Sequence, residues 1–167
     1  MDLAALAARC RARLAELELP RPFDIRALCR GVERRRGRPL VLLGLALPAD
    51  GPRGLWISAA ERDYLIYERN TSPLHQEHII LHELSHLLCG HTGTATLTEE
   101  HARLLFPALD PGMVGRVLGR TGYSTEEEQE AELLASMILR TVQRNRTVPA
   151  IPDEATAENL RRLEAGL

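Results

Sequence analysis

Residues 78–91 read HIILHELSHLLCGH. Ile79, Ile80, Leu81, Leu84, Leu87 and Leu88 surround this segment with apolar side chains, so it reads as a buried helix, yet it also holds four histidines and a glutamate. Burying ionisable groups is costly unless each finds a partner. A shared metal ion would be such a partner. His82 and His86 stand four residues apart, so both rings leave the same helical face one turn apart and can reach one ion. Glu83, beside His82, can take a proton from water there without itself occupying the ion. Zinc suits imidazole donors and carries no redox chemistry. The HELSH pattern therefore predicts one Zn2+ per chain, with His82 and His86 as ligands and Glu83 as the catalytic base.

The neighbouring histidines do not extend that site. His78, His82 and His86 climb about 12 Å along a helix axis, too far for one ion. His75 and His78 are read as polar residues of the first turns. His91, beyond Gly90, is read as a cap, a partner behind the ligands, or an exposed residue.

A catalytic zinc needs a third protein ligand. Candidate carboxylates downstream are Glu99, Glu100, Glu126, Glu127, Glu128, Glu130 and Glu132. Most lie in STEEEQEAELLASMILRTVQRN, a helix capped by Ser124 or Thr125, with acids at its start and Arg140, Arg144 and Arg146 near its end. Its apolar stripe is Ala131, Leu134, Ala135 and Ile138, and the two alanines would let it approach the HELSH helix closely. Glu130 and Glu127 fall on or near that stripe, so Glu130 is the expected ligand and Glu127 the second choice. Glu126, Glu128 and Glu132 are read as facing solvent.

Upstream, residues 2–18 carry an amphipathic helix pattern that ends before Pro20 and Pro22, and Asp24 caps a second helix with Ile25, Leu28, Cys29 and Val32 as its stripe. PLVLLGLALP reads as a buried strand, GLWISA as the next and YLIYE as a third. NTSP then starts the metal helix, with Pro73 in its first turn. Beyond it come a polar loop, a short helix in EEHARLLFPAL and a Gly-rich connection, which together could form a lid over residues 92–122. PDEATAENLRRLEAGL reads as a final helix. The order predicts one α+β domain: a helical pair over 1–37, a small, roughly three-stranded sheet over 39–69, metal-site helices over 73–146 and a last helix over 152–167.

At 167 residues, with 44% hydrophobic and 26% charged residues, the chain can bury a core without staples. A formal net charge of −2 argues against a general nucleic-acid binder, and the arginines of GVERRRGR read as a solvated helix end. Cys10, Cys29 and Cys89 form no CxxC pair and read as structural thiols of a reducing compartment. The N-terminus lacks the order of a signal peptide, and no run of about 18 apolar residues suggests a membrane span. The expectation is a cytoplasmic protein without membrane contact.

HELSHLL followed by EQEAELLASMIL resembles the ImmA/IrrE family of metallopeptidases, whose pattern is HELGH followed by E-x-E-A-x-x-F-A-x-x-L-L. The likeness spans roughly residues 50–140. Glu130 falls on the glutamate before the family's alanine, Ala131 on that alanine, and Leu134 and Ala135 on its Phe–Ala pair. Ser85 stands where the family has glycine, Leu134 replaces phenylalanine, and the interval between His86 and the second motif is long. The resemblance implies a zincin-like domain and an endopeptidase that cleaves a protein partner, typically a helix-turn-helix transcriptional repressor of phage, mobile-element or stress genes. Tyr64, Tyr67, His91, His101 and Tyr123 have the chemistry to steady an oxyanion, and YLIYE could hold an extended substrate along the cleft edge. The rival expectation is a non-proteolytic regulator or toxin–antitoxin component whose zinc is structural or vestigial.

Overall fold

The structure, a computed structural model, describes residues 2–47, 52–58, 61–91 and 123–147. Helix α1 spans Leu3–Ala15 and starts at Asp2, whose Oδ1 accepts from the Ala4 and Ala5 amides at 2.9 and 3.3 Å. Helix α2, Ile25–Arg36, starts the same way at Asp24. Strands β1 (Leu40–Leu45), β2 (Gly54–Ser58) and β3 (Asp63–Glu68) follow, then α3 (Pro73–Cys89) and α4 (Thr125–Thr147). Ser72 caps α3, and at α4 Ser124 and Glu127 cap each other reciprocally: Glu127 N–H donates to Ser124 Oγ at 3.3 Å and Ser124 N–H to Glu127 Oε2 at 2.8 Å. This is the expected α+β arrangement. EEHARLLFPAL, the Gly-rich connection up to residue 122, and PDEATAENLRRLEAGL lie outside the described residues.

The sheet order is β1-β3-β2, with β3 parallel to β1 and antiparallel to β2. Strand alternation divides its side chains between two faces. Leu40, Leu65 and Tyr67 face the helices and join Ile79, Ile80, Leu81, Leu84, Leu87, Leu134 and Ile138 in the main core. Leu55, Ile57 and Ile66 form a smaller cluster on the opposite face. Leu81 and Leu84 are fully buried, each worth about 1.5–3 kcal/mol of apolar transfer.

Two strand readings change. PLVLLGLALP was expected to be buried, but β1 pairs on one side only among the described residues, and of its six residues only Leu40 is buried. YLIYE cannot offer an edge to a substrate, because β3 is central and both its edges are hydrogen-bonded. The edge beside α3 belongs to β2.

The arginine run is tied into the fold. Arg36 Nη1 and Arg38 Nε donate to Asp63 Oδ2 at 2.6 and 3.1 Å, and Arg35 pairs with Glu16. Cys10, Cys29 and Cys89 are free thiols. Among the described residues no helix is long and apolar enough to cross a membrane.

Candidate metal centre

Helix α3 is buried from Ile79 to Leu87, apart from the partly exposed His82, and its apolar residues fix the rotation that turns His82 and His86 towards α4. His82 Nε2 and His86 Nε2 lie 3.1 Å apart. Glu128 Oε2 lies 3.2 Å from the first and 3.8 Å from the second. Donors placed tetrahedrally at about 2.0–2.1 Å around one zinc ion stand roughly 3.3–3.4 Å from each other. The three separations bracket that value. Two imidazoles and one carboxylate are a donor set that zinc accepts.

The carboxylate that the structure brings to His82 and His86 is Glu128, itself about half exposed, and not the expected Glu130. At about 100° per residue the two glutamates point to nearly opposite sides of α4. Glu128 shares a row with Glu132 and Ala135, which faces α3. Glu130 is buried too, but towards α1, where it accepts from Arg9 Nε and Nη2 at 3.2 and 3.3 Å and lies 3.8 Å from Arg13 Nε. Helix α4 packs against both α1 and α3, so burial alone does not say which neighbour a residue meets. Glu127, the second choice, is engaged at the cap.

Each imidazole is also held from behind. Glu132 Oε2 lies 3.3 Å from His82 Nδ1 and 3.7 Å from His78 Nε2. His91 Nδ1 lies 2.9 Å from His86 Nδ1. His91 reaches this place because Gly90 ends α3 in the left-handed conformation (φ 68°), which returns the His91 amide to the His86 carbonyl at 3.1 Å. Tyr123 stacks on the His86 ring with centroids 3.5 Å apart. Of the other oxyanion candidates, Tyr67 OH accepts from Arg26, Tyr64 packs with the cluster on the far face of the sheet, and His101 lies outside the described residues.

The electrostatics separate the two roles. Burial, then the neighbouring His82 and His91, pulls the His86 pKa down to about 3, so this ring is neutral and able to bind metal. Burial, then Glu128, pushes Glu83 up to about 8, opposed by a hydrogen bond from the Trp56 backbone N–H. Glu83 Oε2 is buried without a hydrogen-bond partner among the described residues. The carboxyl is wedged against β2, where Gly54 makes room: a Cβ there would sit 2.6 Å from Glu83 Oε1. Ser85 is fully buried and donates to the Leu81 carbonyl at 2.7 Å, so the hydroxyl is accommodated within α3.

Among the described residues, two groups of side chains come close enough to share an ion: His82, His86 and Glu128; and Cys89, His91 and Glu130. The first fits zinc, with converging donors, a neutral ring and an orphaned buried carboxyl beside it. The second does not. Two guanidiniums already engage Glu130, holding its carboxyl below the usual range against the opposing effect of burial, and burial pushes the Cys89 thiol up to about 12. Compared with known proteins, the chain matches no family model, and no curated protein matches it.

Proposed function

We propose that this chain is a zinc-dependent endopeptidase of the ImmA/IrrE type, acting on a protein partner, with a transcriptional repressor as the class of substrate the resemblance implies. The observation that carries the reading is Glu83: a buried carboxyl with one oxygen unpartnered among the described residues, set beside His82, His86 and Glu128. An acid held near neutrality by its surroundings suits proton transfer in both directions. A zinc ion on His82, His86 and Glu128 would supply Lewis acidity towards water and a carbonyl.

The chain's own residues do the rest. Glu83 takes the proton of the attacking water and returns it to the leaving amine. Glu132 keeps the His82 imidazole oriented. Among the described residues β2 is an edge strand, next to Glu83, and an extended peptide can add to such an edge through main-chain hydrogen bonds.

The test compares the zinc-loaded chain with Glu83→Gln in a cell extract, labelling newly formed protein N-termini. New termini with the wild type and none with Glu83→Gln, at equal zinc content, support the proposal. If neither protein produces new termini, and Glu83→Gln keeps the wild-type effect on gene expression, the chain is a non-proteolytic regulator.

A further inference from the structure

Behind the proposed ligands runs a second line of contacts that the peptidase reading does not require. It begins at His86, passes through His91 and Glu130, and ends on Arg9 and Arg13 of α1. We infer that His91 is a positioning residue for His86, and that Glu130, clamped by the two arginines, fixes the tautomer of His91. This inference rests on the metal reading of His82, His86 and Glu128.

The direction of the chain follows from proton counting. The His86 and His91 Nδ1 atoms are 2.9 Å apart, so only one of them carries a proton. A neutral His86 that offers its Nε2 lone pair to a metal has its proton on Nδ1 and donates it to His91. His91 must then accept through Nδ1 and carry its own proton on Nε2. That atom lies 3.6 Å from Glu130 Oε2, beyond a good hydrogen bond but with a carboxylate as its neighbour. A lone pair facing an anion would be repelled, whereas an N–H is attracted. Glu130 therefore favours the tautomer of His91 that His86 needs.

The carboxylate stays charged because of α1. Arg9 grips both of its oxygens and Arg13 lies 3.8 Å away. Arg13 also donates to the Leu88 and Cys89 carbonyls at 3.2 and 3.4 Å, bracing the end of α3 from which His91 is projected. The N-terminal helix thereby supports the metal site without reaching it.

The experiment measures zinc affinity by chelator competition for the wild type, His91→Phe and His91→Asn. Phenylalanine keeps a ring but accepts no proton from His86, and should weaken zinc binding by about 10- to 100-fold. Asparagine can place an amide oxygen where Nδ1 stood and should recover most of that loss. Unchanged affinity in His91→Phe, or no recovery in His91→Asn, overturns the role of His91. A wild-type chain that takes up no zinc overturns the metal reading as well, so the two failures are distinct. A second measurement needs no metal and no change at His91. Nitrogen NMR of the metal-free chain should place the His91 proton on Nε2 in the wild type and show a mixture of the Nε2–H and Nδ1–H tautomers in Glu130→Gln. A proton on Nδ1 in the wild type, or no change in Glu130→Gln, overturns the part played by Glu130.

Discussion

Two buried carboxyls, Asp63 and Glu83, lie on either side of the same residue, Trp56. Asp63 is fully buried and completely partnered: Arg36 and Arg38 donate to one oxygen and the Trp56 indole N–H to the other at 3.4 Å. Glu83 is nearly as buried, yet it receives the Trp56 backbone N–H and its Oε2 has no partner among the described residues. A buried acid that is needed for architecture is surrounded by donors. One that is left short of donors beside His82, His86 and Glu128, which are close enough to share an ion, is retained at a cost to stability, and the proposed proton transfer would account for that cost.

The comparison breaks most visibly at Asp63. Asp63→Ala leaves two guanidiniums without their anion and should cost about 3–5 kcal/mol, towards the lower end because both arginines can still turn to water. Urea unfolding reads the loss. A cost below about 1 kcal/mol, typical of an exposed pair, would place Asp63 outside the fold's essential contacts.

Glu83 should respond in the opposite sense. Its folded-state pKa is raised to about 8 from 4.5, so the metal-free fold holds the proton while the unfolded chain releases it. Stability falls as pH rises from the unfolded value through the folded one, by up to about 1.4 kcal/mol per unit. Metal-free Glu83→Gln should match the wild type near pH 4 and become the more stable of the two by pH 8. Parallel pH–stability curves for the two proteins would mean that Glu83 has partners in solution, as Asp63 does.

Gly54→Ala tests how closely β2 must approach Glu83. The new methyl would lie 2.6 Å from both Glu83 Oε1 and Ile79 Cγ2, so thermal unfolding should report a loss of about 1–3 kcal/mol. No loss would show that the strand can move away from the carboxyl.

Much of this was legible in the sequence, and what was not had specific causes. Helix caps, strand positions and the shared face of His82 and His86 follow from local spacing, and the structure has each of them. The choice between Glu128 and Glu130 was not local. Glu130 lies beside the buried stripe of α4 whereas Glu128 reads as facing solvent and stays about half exposed, and the positions of α1 and α3 on the two sides of α4 decide which of them meets the histidines. A phase count does carry the signal, since Glu128 lies three and seven residues before the small Ala131 and Ala135 that allow close approach to α3. His91 was readable in principle from Cys89-Gly90-His91, because a glycine ending a helix returns the next residue towards the last turn. Strand order was not readable at all. Nothing local to YLIYE says that β1 would pair on its far side and leave β2 as the edge.

The most direct test of the account is zinc content and affinity of the purified chain beside His82→Ala, Glu128→Ala, Glu130→Ala and Glu83→Gln. The account predicts about one zinc per wild-type chain, unchanged content in Glu83→Gln, and loss of the metal in His82→Ala. It also predicts a larger loss of affinity in Glu128→Ala than in Glu130→Ala. Zinc retained at full affinity without Glu128 but lost without Glu130 would contradict it, and so would a chain that binds no zinc under any loading.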